Sequence, residues 1–506
     1  MVLRIVVRTL LLVFTVTCID ITSARAQSPI RIGLAETDIT PPLKFPMAGY
    51  FHERLNEGTI DPLKAKAIVF RSDSQQAAMV VCDLIGIAAD FAKEVKTRAS
   101  EQTGIPASHI IVSATHSHTA PDYSKSLYAW MIRKTSPDAA NAPSLEKDPE
   151  RLAYIDKLIT NTVDAVVKAS QSATPAKLDS GWTEQQTPVA FNRRFVQKDG
   201  SVKTWVGLEH EGTVRSAGPI DPEIPLLLIR DEQGHMKGLV SNFALHLDTV
   251  GGMKWSADYP SFISDVVREK LGPEMISIFG TGCCGDINHV NPRGKERNKT
   301  DFIGKSLGDT IVSGVASLSP IDSPRLEVRS VVVQVPLQEA SQEAVAKSIA
   351  TMKAVNAGET VDFYDHVTAH KTLMIDQMRN NPRFAKDEDA MLARRVTHTL
   401  SGVGPSIPVE INAICIGQDM AIVSLPGEVF VDLGLAIKRG SPFRNTMVIE
   451  LSNCVETFYV PTRAAFAGGG YETTNSTVEH GAGELLVEET LKMLKAAAQP
   501  ANTPAL

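Results

Sequence analysis

The apolar positions of this chain fall into short runs separated by amphipathic stretches. Residues 66–70 (KAIVF), 77–84 (AAMVVCDL) and 109–116 (HIIVSATH) are rich in β-branched side chains and read as buried strands. The same pattern returns at 224–230 (IPLLLIR), 238–248 (GLVSNFALHLD), 275–282 (MISIFGTG) and 325–337 (RLEVRSVVVQVPL). It closes with 409–417 (VEINAICIG), 420–427 (MAIVSLPG) and 446–453 (TMVIELSN). Between the second and third runs, residues 90–106 set Phe91, Val95 and Ala99 on one helical stripe, stopped by Gly104 and Pro106. Residues 149–167 form an amphipathic helix opened by a proline, and residues 483–498 another helix.

Strands that alternate with helices predict an α/β fold, with mixed β-sheets flanked by helices in a single large domain. No Pro/Ser-rich linker and no internal repeat divides the chain. Residues 338–400 depart from the pattern. They are polar, charged and helix-prone, and read as a helical excursion from the domain. Residues 27–497 are expected to make up the domain, with 498–506 a disordered tail.

Composition narrows this picture. The 506 residues are 43% hydrophobic and 22% charged, as in globular proteins. The net charge is −7 and there is no basic run, which argues against a nucleic-acid partner. The first 26 residues carry Arg4 and Arg8, then an apolar run, then Ala24-Arg25-Ala26. This is the pattern of a cleaved signal peptide, so the mature chain is expected to be secreted or periplasmic. The apolar run is shorter than the roughly 20 residues a membrane span needs. Beyond it lie Cys82, Cys283, Cys284, Cys415 and Cys454, an odd number with no CxxC pair. That pattern argues against a disulfide scaffold and against a thiolate zinc site.

Several positions could carry chemistry. His116 and His118, in SATHSHTAPDYS, lie two apart at the end of a strand and so share a face. Such a pair either hydrogen-bonds the adjoining turn or faces a ligand. His246 ends another buried strand before a Gly-rich turn. Glu428 follows Pro-Gly out of a third strand, where it either answers a helix dipole or binds a ligand. The loop GCCGDIN is tight enough for close backbone approach, and Cys283 and Cys284 read there as small buried fillers. Tyr459 and Tyr471 flank a Gly-rich loop. His366 and His370 have the i, i+4 spacing of helical zinc ligands, but Val367 stands where a metalloprotease helix has Glu. That pair reads as a solvated helix face. No G-x-S-x-G elbow is present.

Taken in order, ETDITPP, MAGY, SATHSHTAPD, FNRR, FALH, GCCGDIN, LPGE and YVPT followed by YET form a set that resembles the neutral (alkaline, non-lysosomal) ceramidases. The likeness runs from about residue 31 to 495, and the interval from Tyr459 to Tyr471 matches that between two functional tyrosines of the family. The resemblance implies a zinc-dependent amidohydrolase that cleaves an N-acyl bond with zinc-activated water. It implies Zn²⁺ ligands at His116, His246, Glu428 and Tyr459, and a carbonyl-stabilising role for His118. Arg193 and Tyr471 would line the site, and Gly49 would lie beside the substrate head group. A lipid or small-molecule amide substrate and transient contact with a membrane surface follow from it.

The chain also departs from the family. Asn288 stands where the family has a serine thought to assist catalysis, in GDINHVN against Gly-Asp-x-Ser-Pro-Asn. THSHTAPD replaces the usual Gly-rich continuation after the histidines, and the family's C-terminal immunoglobulin-like domain is not expected after Tyr471. Two rival expectations follow: a zinc hydrolase of another amide or ester, or a binding protein that keeps the site without the chemistry.

Overall fold

The computed structural model describes residues 29–135, 146–294, 296–380 and 398–499. The signal-peptide expectation for residues 1–26, and most of the tail beyond 498, lie outside the described residues. Each apolar run named above contains a strand. The first sheet holds β1 (Arg31–Asp38), β2 (Lys64–Arg71), β3 (Gln76–Cys82) and β4 (Ile110–Ala114), then β5 (Thr174–Glu184), β6 (Glu223–Asp231), β7 (Met236–Phe243) and β8 (Ile276–Thr281). Their spatial order is β8-β7-β6-β5-β1-β2-β3-β4. The second sheet runs β9 (Leu326–Pro336), β10 (Ser406–Ile416), β11 (Met420–Ser424), β12 (Asn445–Ile449), in that order. The longer helices are α1 (Ala89–Thr103), α2 (Ser124–Thr135), α3 (Pro149–Gln171), α4 (Tyr259–Leu271), α5 (Thr300–Gly314), α6 (Gln342–Asn356), α7 (Phe363–Asn380), α8 (Val431–Gly440) and α9 (Ala482–Ala498).

Alternation along the strands sets the layers. In β2, Ala65, Ala67 and Val69 join a core with Phe91 of α1 and Ile159 of α3. Ile68 and Phe70, on the opposite face, join a core that includes Ile414 and Ile422 of the second sheet. In β10, Ile407, Val409 and Ile411 pack with Leu486 and Leu494 of α9, while Ile414 and Ile416 turn to the first sheet. The two sheets therefore lie face to face and helices cover their outer faces. Full burial of each such Ile or Phe side chain contributes roughly 1.5–3 kcal/mol, so these runs dominate the layering.

Three crossovers position the site. β3 and β4 are parallel neighbours joined through α1, β7 and β8 through α4, and β11 and β12 through α8. Ligands of open α/β sheets sit beyond the carboxyl ends of such strands. Those ends release the segments that bear His116 and His118, His246, the GCCGD loop, Glu428 and Tyr459.

Two central strands, β1 and β5, were not among the apolar runs. β5 buries only Leu178 and Ser180 of its eleven residues, so its sequence, TPAKLDSGWTE, lacks the signal that its position in the sheet would suggest. The excursion is helical in α6 and α7, and residues 381–397 lie outside the described residues. The solvated helix face is corrected. His370 is only 7% exposed, and both its ring and that of His366 pack around Phe51, at 6.0 and 5.4 Å between centroids. The polar look of the segment comes from α6, which buries only Ser348 and Met352. In α7, Val367, Met374 and Met378 form an apolar stripe, and the two methionines enter the core of the second sheet. No helix among the described residues is long and apolar enough to cross a membrane.

Candidate active site

β4 ends at Ala114 and the chain turns sharply. His116 sits at φ 78°, left-handed backbone that costs a non-glycine residue energy. Its amide donates to Leu84 O at 2.9 Å, and its ring Nδ1 lies 2.6 Å from Ile85 O. A carbonyl can only accept, so the ring proton sits on Nδ1 and the lone pair on Nε2. That Nε2 lies 3.1 Å from His246 Nε2 and 3.4 Å from Glu428 Oε2. His118 Nε2 also lies 3.1 Å from His246 Nε2. One ring nitrogen from each of the three imidazoles thus converges on one point, all within 4.8 Å of each other.

The electrostatics of this cluster ask for a cation. His116 and His246 are 2% and 3% exposed. Burial, reinforced by the neighbouring His116 and Arg193, pushes His246 well below the ordinary histidine range. Burial pushes His118 down to about 4. Both are therefore neutral rings with a lone pair to offer. Burial tends to raise Glu428, but a hydrogen bond from Tyr459 and the Arg193 charge help hold it below the ordinary carboxylate range. Glu428 Oε2 is buried and has no hydrogen-bond partner. A lone pair facing an unpartnered carboxylate oxygen is repulsive unless positive charge stands between them. Imidazoles, a carboxylate and a phenol form a donor set that fits Zn²⁺.

Glu428 and Tyr459 are brought together by a short parallel bridge, Glu428 opposite Tyr459 and Val429 opposite Val460. Gly285 makes this approach possible, since a Cβ there would lie 2.6 Å from Glu428 O. Beneath it, the Glu450 carboxyl accepts from Val429 N at 2.6 Å and from the Cys284 thiol at 3.0 Å. Burial pushes both Glu450 and Cys284 well above their ordinary ranges. The thiol stays protonated, in keeping with a packing role for the paired cysteines. Arg193 ties the parts together. It donates to Glu472 Oε1 at 2.8 Å, Gly285 O at 2.8 Å and Tyr459 Oη at 3.0 Å. Burial and the Glu428 charge drive the Tyr459 hydroxyl well above 10, so it is a neutral phenol in this arrangement.

A cavity of about 390 Å³ opens in front of this cluster. Phe51, Phe195, Trp205, Phe363, Tyr459 and Tyr471 give it an aromatic wall, while Asp248, Asn288 and His289 give a polar one. His118, His246 and Arg193 reach its surface; His116 and Glu428 lie behind them. Distance alone does not separate the two strand-end histidines; His118 lines the cavity, as His246 and Tyr459 also do. Gly49 sits against it at φ 102°, where a Cβ would lie 2.8 Å from both Cβ and Nδ1 of His118. Tyr471 stacks edge-on with Tyr459 at 5.6 Å, and its hydroxyl accepts from Asn475 at 3.2 Å. Asn288 pairs with Phe191 in a two-residue bridge, and its Oδ1 accepts from Val290 N at 3.1 Å.

All nine candidate residues therefore meet in one place. Sequence reasoning missed Asp248, His289, Phe363 and the buried acids Glu450 and Glu472. Asp248 and His289 stood inside quoted motifs, two residues after His246 and one after Asn288. Glu472 stood beside Tyr471 in YET and Glu450 inside the run 446–453, but charged residues read as surface until their partners are known.

No protein-family model matches the chain, and no curated protein matches it by sequence. Solved structures do match in fold. The crystal structure of neutral ceramidase from Pseudomonas aeruginosa superposes with a TM-score of 0.66 at 18% identity, over 94% of this chain and 76% of that one. A ceramidase complexed with C2 gives a TM-score of 0.66 at 17% identity, over 94% and 77%. The chain has the fold of a neutral ceramidase.

Proposed function

We propose that the protein is an exported, zinc-dependent hydrolase of N-acyl amides, acting on a lipid-like substrate as the neutral ceramidases do. His116, His246, Glu428 and Tyr459 would hold the metal. Bound zinc would supply Lewis-acid chemistry, lowering the pKa of a water and polarising an amide carbonyl. The chain's own residues do the rest. His118, on the cavity surface, would stand beside the oxygen that gains charge as the amide is attacked and stabilise it. The Tyr471 hydroxyl supplies a donor from the facing wall. Arg193 fixes the Tyr459 ring and hydroxyl through its fork of hydrogen bonds. The Asn288 side chain orients the amide, but it cannot relay a proton as a serine hydroxyl can. The aromatic wall takes the acyl chain, and Gly49 leaves room beside His118 for the head group.

The observation that carries this reading is the convergence of three imidazole nitrogens within 4.8 Å of one another, with the unpartnered Glu428 oxygen 3.4 Å from His116 Nε2. Metal analysis of protein purified without chelator should find about one zinc per chain, lost in the His116→Ala, His246→Ala double variant. A metal-free wild type sinks the proposal. Asn288 favours a second reading, in which the site binds without turnover or serves another amide or ester. Turnover of a ceramide against short-chain amides and esters separates these. A zinc-loaded protein inert toward all of them leaves only the binding role.

A further inference from the structure

One edge of the second sheet is left open. β9 pairs with β10 on one side and with no strand on the other. The Val328 N–H donates to Gln75 Oε1 at 2.7 Å, away from β10, whereas the Leu337 N–H donates to Pro405 O at 2.9 Å, on the β10 side. Antiparallel strands alternate in this way, so the even-numbered residues of β9 turn their backbone groups outward. At Pro336 the outward carbonyl accepts from Glu479 N at 2.9 Å. Between these two caps, the N–H and C=O groups of Ser330, Val332 and Gln334 have no hydrogen-bond partner among the described residues. Natural edge strands are guarded by charge, by proline or by a covering segment. Here residues 330–335 (SVVVQV) carry neither charge nor proline, and Val332 is 58% exposed.

The surroundings of this edge limit what can pair with it. Main-chain donors and acceptors at strand spacing fit another extended backbone. The slot from 330 to 334 suits a short segment. A second copy pairing through its own β9 would have to lie where 477–479 already sits beside Pro336. Beside the open edge, a groove of about 750 Å³ runs between β9, β10 and α1. Lys93, Lys96 and Arg329 line it against one carboxylate, Glu410, which is ion-paired with Lys96. The chain as a whole carries a net charge of −7. The groove therefore favours acidic side chains, while the chain at large repels a second acidic copy.

We propose that the β9 edge binds an extended, acidic segment of a partner protein as an added strand. Backbone bonds to Ser330, Val332 and Gln334 hold the segment. Its side chains on the groove side meet Val332 and the lysines of α1. This surface is independent of the metal cluster and of the reaction proposed above.

The test reads fluorescence anisotropy of labelled peptides titrated with the full chain. The probe is Glu-Thr-Val-Thr-Glu-amide, which sets valine opposite Val332 and the glutamates on the groove side. A second peptide has lysine for both glutamates, and a third is the acidic probe N-methylated at its three central residues. The wild type should bind the acidic probe roughly tenfold more tightly than the lysine peptide. N-methylation should weaken it by roughly tenfold or more, because the added strand loses its donors. Val332→Pro removes one outward N–H and leaves the ladder to β10 intact, a change that edge strands tolerate. It should weaken the acidic probe by roughly three- to tenfold while the circular dichroism stays that of the wild type. Lys93→Glu, at an exposed position, should reduce the preference for the acidic probe by about threefold or more. No binding of the acidic probe to the wild type overturns the proposal. Equal binding of the N-methylated peptide overturns it too, as does full affinity in a folded Val332→Pro variant. A lysine peptide that binds as well as the acidic one, or a preference unchanged in Lys93→Glu, overturns the acidic partner. If Val332→Pro does not fold, the N-methylated peptide and Lys93→Glu still decide.

Discussion

The floor and the rim of the cavity are built from different materials. The floor comes from strand ends, where His116, His246, Glu428 and Arg193 are buried and tied to backbone or to buried charge. The rim comes from loops and from α7, where Trp205 and Phe363 remain 47% and 43% exposed. Its contacts are ring against ring: Trp205 on Tyr471 at 4.7 Å and Phe363 on Tyr471 at 5.9 Å. Chemistry needs donors held to fractions of an ångström, which packed strands provide. Recognition tolerates looser walls, and loops and peripheral helices can vary without disturbing the core.

Changes to the floor should therefore be felt in activity and stability together, and changes to the rim in KM alone. The largest effect is expected from metal removal. Chelation, or the His116→Ala, His246→Ala pair, should abolish turnover and lower the melting temperature by the amount zinc adds to the wild type. A wild type whose melting temperature ignores zinc would break the link. Next comes Arg193→Ala. It leaves Glu472, fully buried, with only the longer 3.6 Å contact to Arg194 among its ion pairs. Urea unfolding should show a loss of about 3–5 kcal/mol, and activity should fall with it. Gly49→Ala should follow. Its positive φ and the 2.8 Å approach to His118 should cost about 1–3 kcal/mol and reduce kcat by displacing the ring.

The rim variant Phe363→Ala should be milder, with under about 1 kcal/mol lost in unfolding and a several-fold higher KM for long acyl chains. A loss comparable to that of Arg193→Ala would show that the rim is as integral as the floor. The smallest expected effect is a gain. Asn288→Ser should raise amide turnover modestly while zinc content stays constant, measured by kcat alongside metal analysis. An unchanged rate would place the proton traffic elsewhere on the polar wall.

Much of the floor could be read in the sequence. Its strands are uniform apolar runs, because each is buried on both faces, and the residues proposed as metal ligands lie at the ends of those runs or a few residues beyond. The resemblance alone separated His116 from His118, since both ring nitrogens lie 3.1 Å from His246 Nε2. The rim was harder to read. Phe363 belongs to a segment whose composition is polar, and its role depends on how α7 packs against Phe51 and Tyr471. β5 was hidden for a different reason: it is hydrogen-bonded between two strands, but only two of its eleven side chains are buried, so its sequence is mostly polar.

The sequence by itself determined the α/β class, the strand ends that carry chemistry, and nine residues that share one site. Periodicity and motif order are local properties, written along the chain. Only the tertiary structure decided that three imidazole nitrogens converge and that one of them, on His116, faces a carboxylate oxygen without a hydrogen-bond partner. It alone buried Glu450 and Glu472 as supports, and turned His289 and Asp248 toward the same cavity. Those facts depend on distances between residues as many as 312 positions apart, as His116 and Glu428 are, and such distances exist only after the two sheets have packed.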